Sequence, residues 1–373
     1  MLLAAAYAQP AHGQAPRSPT AGSAASFDDL ARQAAAARTA DRIDEALRLY
    51  RQGVQARPTW DEGWWYLATL YYDKDRWAEG RDAFRRFLDL KPDTGPGWVF
   101  RGLCEYQLKE YAPALEHLTK GVGLGLAGNA DLLRVASFHV SALQIRAGAF
   151  ELAAHGLELV SRNEPESPRL AEAIGLMLLR VPTLPGEAPP ELKDALQAAG
   201  HAGYLQLDKR PGEAQAAFES LVSRFPTVPY AHYAYGVFLL GQDGDAALEQ
   251  FAREIAVQPG SVYAYIEVAF ERLRRGEAGK ALAPAETSVT LAPGLFAAHN
   301  ALGRALVETG AMERGLQELE AAARLAPDSP EMFFALARAY AKAGRKEDAD
   351  KARATFAELD ARRRAKREGL SPE

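Results

Sequence analysis

The stretch DEGWWYLATLYYDKDRWAEGRDAFRRFLDLKPDT, Asp61–Thr94, carries two apolar stripes separated by a polar turn. Trp64, Leu67, Ala68 and Tyr71 recur at i, i+3, i+4 and i+7, which places them on one face of a first helix. Asp73-Lys74-Asp75 interrupts that face. Gly80, Ala83, Phe84, Phe87 and Leu88 then make a second stripe ending at Lys91-Pro92, where proline stops the helix. The reading is a helix-turn-helix element. Its length recurs along the chain, because Pro58 and Pro92, Pro259 and Pro293, and Pro293 and Pro327 are each 34 residues apart, and Pro226 and Pro259 are 33 apart.

Other elements repeat the pattern with substitutions. Trp98, Gly102, Ala114, Leu118 and Gly121 fill corresponding places after Pro92, although Arg101 stands where Leu is expected and the closing proline is missing. Gly148, Ala153, Leu157 and Pro165 mark another element, and Ala202, Ala214, Phe218, Leu221 and Pro226 the next. Tyr235, Gly236, Leu239, Ala247, Phe251 and Pro259 follow with a turn one residue short. Gly102, Gly236 and Gly303 fall where two helix backbones must approach closely.

An aromatic at the fourth place, Leu and a small residue at the seventh and eighth, Tyr at the eleventh and a terminal Pro resemble the tetratricopeptide repeat signature. The resemblance runs from about Phe27 to Leu359. It implies an all-α, right-handed superhelical solenoid of about eight to nine helix-turn-helix repeats, whose concave face takes a peptide or protein segment.

The register fails at 168–190. Arg169 to Arg180 reads as a helix with Gly175 at the close-packing place, but Val181 to Pro190 holds four prolines and excludes a second helix. The expected organisation is therefore a tail at 1–26, a repeat segment at 27–167, a lone helix and Pro-rich connector at 168–190, a second repeat segment at 191–360 and a basic tail at 361–373. The connector is expected to be exposed and open to proteases. Pro284 falls inside a second helix and is expected to kink it. The arginines of the basic tail suit a solvated helix end. Met1 to Ala8 reads MLLAAAYA and resembles the end of an export signal, without a basic region before it, so export to a periplasmic or extracellular space is expected, with a cytoplasmic location as the alternative.

Composition narrows the function. A formal net charge of −5 lacks the positive field that nucleic acids need, so a helical-repeat RNA binder is a secondary reading beside that of an accessory subunit. No run of about 20 apolar residues is present to cross a bilayer as a helix. Cys104 is the single cysteine, and none of the seven histidines stands in a zinc motif. His232 and His299 occupy fourth places and read as packing residues. The glycines at 121, 123, 125 and 128 follow a helix and not a strand, which argues for a turn and against a phosphate loop. These residues predict no catalytic centre, cofactor or metal, and point to a non-catalytic scaffold.

On the first helices a second face lies roughly 130° from the core stripe. It carries Trp65, Thr69 and Tyr72 in one repeat, and Val99, Leu103 and Tyr106 in the next. Further along it carries Tyr230, Tyr233 and Val237, then Tyr263, Ile266 and Phe270. Asn300 and Arg304 follow, and after them Phe334 and Arg338. By the resemblance this is the peptide groove, and its aromatics and arginines are the residue types that make hot spots. Arg304 and Arg338 are expected to hold a carboxylate, with Phe270 taking an apolar side chain. The opposing expectations are that these arginines bridge to Glu308 or Glu331, and that self-association or the N-terminal tail fills the face.

Overall fold

The structure, a computed structural model, describes residues 26–367. The segment read as an export signal lies outside them. Helices follow one another without a strand among the described residues, in two compact units that divide between Arg210 and Pro211. The first unit holds α1 (Phe27–Thr39), α2 (Ile43–Ala56), α3 (Asp61–Asp73), α4 (Trp77–Leu90), α5 (Gly95–Gln107), α6 (Tyr111–Leu124), α7 (Ala130–Arg146), α8 (Phe150–Ser161), α9 (Pro168–Leu178) and α10 (Lys193–Leu207). The second holds α11 (Pro211–Arg224), α12 (Ala231–Leu239), α13 (Gly244–Val257), α14 (Val262–Arg274), α15 (Ala278–Leu291), α16 (Phe296–Glu308), α17 (Met312–Leu325), α18 (Pro330–Lys342) and α19 (Lys346–Arg367). The helices pack as consecutive pairs, α1 with α2 through α9 with α10 and, after α11, α12 with α13 through α18 with α19.

The turn inside a pair has one recurring chemistry. In most repeats the fifteenth place takes a left-handed backbone, supplied by Gly148, Gly276, Gly310 and Gly344, and by Asp41, Asp75, Lys109 and Lys209 in their counterparts. The next N–H then reaches the carbonyl five residues back, as in Arg76 to Tyr71 and Ala311 to Leu306, which closes a Schellman motif. Arg180 does the same after α9, with Val181 bonding to Leu176.

That ending corrects the reading of 168–190. α9 is not a lone helix. It is the first helix of a repeat whose turn has been lengthened, and it packs along α10. The two backbones meet at Gly175 and Gly200, where any Cβ would collide with the main chain of Leu196 or Ala171. The loop after Arg180 is not simply an exposed connector either. Leu184 is only 3 % exposed and joins the apolar cluster that contains Val99, Leu103 and Leu143, while Gly186 N–H donates to Glu172 at 2.9 Å. Four prolines keep this segment out of helix, and a turn closed by Glu187 N–H to the Leu184 carbonyl holds it as a strap anchored on Leu184. The compact units accordingly divide at 210/211 and not at the connector.

Two smaller expectations also meet the structure here. α15 continues through Pro284, and the amide that proline lacks leaves the carbonyl of exposed Lys280 to solvent. α19 extends through Arg362, Arg363 and Arg364, which pair with Glu358, Glu331 and Asp360 along a solvated helix end.

Gly102 and Gly303 lie against the backbone of the partner helix as their places predict, whereas Gly236 faces the ring of Phe251. A Cβ on Gly303 would come within 2.7 Å of Leu319 Cγ and 2.9 Å of the Gly315 carbonyl oxygen. Gly303→Leu is therefore expected to destabilise the second unit by about 2 kcal/mol or more, read from urea unfolding by circular dichroism. An unchanged midpoint would refute the α16–α17 contact.

Candidate functional site

The fourth place of the repeat explains why its aromatic and the preceding proline travel together. Trp64 Nε1 donates to the Pro58 carbonyl at 2.8 Å, and Trp98 Nε1 to that of Pro92 at 2.7 Å. His232 Nε2 meets the Pro226 carbonyl at 3.2 Å, and His299 Nε2 that of Pro293 at 2.9 Å. The two histidines stand in for tryptophan because each offers a ring nitrogen at the same reach.

The departures at the next places also have a structural reason. Arg101, where Leu is expected, pairs with buried Glu105 at 3.0 Å, and Glu105 holds His117 Nδ1 at 2.6 Å. Trp98 stacks on His117 with ring centres 5.1 Å apart. A cleft of about 340 Å³ opens beside this cluster between Arg81, Arg85, Arg101, Glu105 and Glu110. Its cations face acids already, Arg81 meeting Glu110 at 2.5 Å, so it presents no uncompensated charge of one sign.

The inner face differs between the units. In the first unit it is filled. Trp65 is fully buried, edge-on to Phe84 and Phe100 and 5.1 Å from Phe87, and Thr69, Val99 and Leu103 are buried with it. Tyr72 lies against Trp77 and Phe100, and burial pushes its hydroxyl up to about 12. Tyr106 packs edge-on to His139 at 4.7 Å, and burial raises its hydroxyl pKa, with the charges of Arg169 and of Glu187 in the strap also acting on it. Burial holds His139 down to about 4. Trp65 is therefore a packing residue, and Tyr72 and Tyr106, half-buried, are partly covered. The helical wheel places them correctly, but the wheel cannot show that the rings of Phe84, Phe87 and Phe100, and the returning strap, cover them.

In the second unit the face is open in part. Tyr230 takes a left-handed backbone at φ 65° before α12, and the N–H groups of Tyr230 and Tyr233 donate to Glu254 at 2.8 and 3.2 Å. That carboxylate is fully buried and caps α12 from α13; burial raises its pKa against the pull of the two N–H bonds. The rings of Tyr230, Tyr233 and Tyr263 form a row with centres 6.0 and 6.3 Å apart. Ile266 is buried and belongs to the support of this row rather than to its surface. Phe270 is half-buried, and the guanidinium of Arg304 lies 5.5 Å from its ring centre.

Arg304 and Arg338 are both exposed on this face, and neither has an ion pair or hydrogen bond among the described residues. The two glutamates expected to bridge to them are hydrogen-bonded elsewhere, Glu308 with Lys342 at 2.8 Å and Glu331 with Arg363, so that Glu308 acts on the two arginines through its charge alone. Partial desolvation of the guanidinium near the Phe270 ring, and then the like charge of Arg338, hold Arg304 below the usual arginine range against the pull of Glu308, although the residue as a whole is exposed. Asn300, one turn before Arg304, is 8 % exposed with an Oδ1 that has no hydrogen-bond partner among the described residues. Phe334 is 51 % exposed, touched by Phe356 at 5.6 Å.

One residue escaped the sequence reading. Glu267 lies one turn after Tyr263 and three residues before Phe270, half-buried, with no hydrogen bond or ion pair among the described residues, and burial pushes its carboxyl up to about 7. A single acid interrupting the Tyr263–Phe270 stripe was the available signal.

A sequence profile described as tetratricopeptide repeat matches residues 31–94, 66–125, 205–262 and 300–365, together more than half of the chain. The chain belongs to the tetratricopeptide repeat family. No curated protein matches it. Among solved structures, a MamA RS-1 double mutant is 19 % identical, with a TM-score of 0.41 over 45 % of this chain and 96 % of that one. MamA 41-end from Desulfovibrio magneticus RS-1 is 21 % identical, with a TM-score of 0.39 over 46 % and 96 %. The APC/C hetero-tetramer Cut9–Hcn1 is 12 % identical, with a TM-score of 0.44 over 92 % and 89 %. Within the tetratricopeptide repeat family this chain is a protein-interaction scaffold in general terms, and its own residues have to say which face is used.

Proposed function

We propose that the inner face of the second unit binds an extended peptide segment through a carboxylate, either a C-terminus or an acidic side chain. The observation that carries this reading is the pair Arg304 and Arg338, two neighbouring cations with no hydrogen-bonded acid among the described residues, beside the Asn300 Oδ1 that has no hydrogen-bond partner there. Arginine forks match a carboxylate with two parallel hydrogen bonds, and an amide pairs with a peptide backbone. Phe270 and the tyrosine row supply the apolar contact that holds the segment down. The burial of Trp65, Val99 and Leu103 on the corresponding face of the first unit favours the second unit as the binding surface.

The test uses a randomised nine-residue peptide library with free C-terminal carboxylates and the same library amidated, each passed over the immobilised full chain. The free-acid library is expected to be retained at least about tenfold better, by the worth of one charge-assisted pair of roughly 1.5–3 kcal/mol. Arg304→Glu with Arg338→Glu should abolish the difference while leaving melting within about 0.5 kcal/mol of the parent, as both side chains are exposed. Equal retention of acid and amide by the parent chain would reject the reading.

A further inference from the structure

We infer that the same face also selects a cationic side chain on its ligand, held by Glu267, so that the groove recognises a peptide with a lysine or arginine a few residues away from its carboxylate. This rests on the carboxylate reading above and extends it to the opposite end of the ligand.

Glu267 belongs to the stripe Tyr263–Glu267–Phe270 on α14, so an aromatic side chain lies one turn to either side of the carboxylate. A half-buried carboxylate on a helix stripe flanked by aromatic residues suits a desolvated ammonium or guanidinium, since the acid supplies the charge and a neighbouring ring can take the cation on its face. The charges that could have neutralised it internally do not. Arg274, two turns further on the stripe, is bonded to Glu271 at 2.7 Å, and Arg275 is bonded to Glu271 at 2.6 Å. Arg272 is bonded to Glu277 at 2.6 Å. Arg304 stands over Phe270 and makes no bond to Glu267. Burial raises the pKa of this carboxyl, and no hydrogen bond or ion pair among the described residues offsets it, so a ligand cation would be the first charge to favour its ionised form.

The face therefore has a negative end on α14 and a positive end on α16 and α18. First helices of neighbouring repeats pack about 8–10 Å apart, and an extended chain advances roughly 3.3 Å per residue. A ligand cation at Glu267 and a carboxylate at Arg304 or Arg338 are then about three to six residues apart. This fixes the direction of the peptide as well as its composition, because the reversed segment would bring like charges together at both ends.

The experiment compares two versions of the nine-residue library, with Lys or with Gln fixed four places before the C-terminus, each as free acid and as amide. The full parent chain is expected to retain the Lys library about tenfold better than the Gln library in the acid form. Glu267→Gln, which keeps the shape of the side chain, should bring the Lys-to-Gln ratio to about one while preserving the preference for acid over amide. A Lys-to-Gln ratio that survives Glu267→Gln, or a ratio of one in the parent with the acid preference intact, overturns this inference alone. Loss of the acid preference in the parent overturns the carboxylate reading, and this one with it.

Discussion

Gly200→Ala is expected to lower the unfolding free energy of the first unit by about 3 kcal/mol, the upper end of the range for overpacking. The added methyl would lie 2.8 Å from Ala171 Cα and closer still to that residue's carbonyl carbon and oxygen. A side-chain obstacle could rotate away, but this one is backbone inside α9, so the two helices must separate along their whole contact. Gly175 meets Leu196 in the same way from the other side, which leaves no slack in the reverse direction. The five tryptophans all lie between Trp60 and Trp98, so fluorescence during urea unfolding reads the first unit alone. Gly279→Ala is the control: its helical position has open space around it, and alanine there is expected to add about 0.5–1 kcal/mol to the second unit, followed by circular dichroism. A Gly200→Ala chain that unfolds at the parental midpoint would mean that α9 and α10 do not pack as described.

Leu184→Asp should cost a comparable amount, about 3 kcal/mol, and act by a different route. Removing a buried leucine loses its transfer free energy, and an aspartate in its place has no partner for its charge. The strap escapes that penalty by leaving the apolar cluster, which exposes Tyr106 and its neighbours. The variant is expected to become sensitive to limited proteolysis between Val181 and Pro190, giving two fragments, whereas the parent chain resists cutting there. Equal resistance in both chains would show that Leu184 does not hold the strap.

The repeat was legible in the sequence because its determinants are local and periodic. Prolines at fixed intervals, stripes at helical spacing and glycines at contact places each follow from a single turn or a single helix pair. The face available to a ligand was legible only in the second unit. Trp65 and Tyr106 satisfy the same wheel position as Tyr233 and Phe270, and the wheel cannot register that other side chains close over them. Leu184 is one apolar residue among prolines, without periodicity, so no pattern marks it as buried. The pairing of α9 with α10 was hidden by turn length, since the element looked interrupted although both close-contact glycines were present. Arg304 and Arg338 stayed ambiguous until Glu308 and Glu331 were seen bonded to other partners.

The ring nitrogens that reach back to a proline carbonyl also set how the array yields to load. Each such bond spans six residues and crosses a junction between successive repeats, so it acts as a clasp that must open before the junction can bend. The fourth places entering α14 and α18 hold Tyr265 and Phe333, which have no ring N–H to offer. Compliance within the second unit is therefore expected to concentrate at those two junctions, on either side of the pair of repeats α14–α17 that His299 clasps together. A partner pulling on that face would stretch the spacing from Tyr233 to Glu267 and from Arg304 to Arg338 before that from Glu267 to Arg304, whose junction His299 clasps.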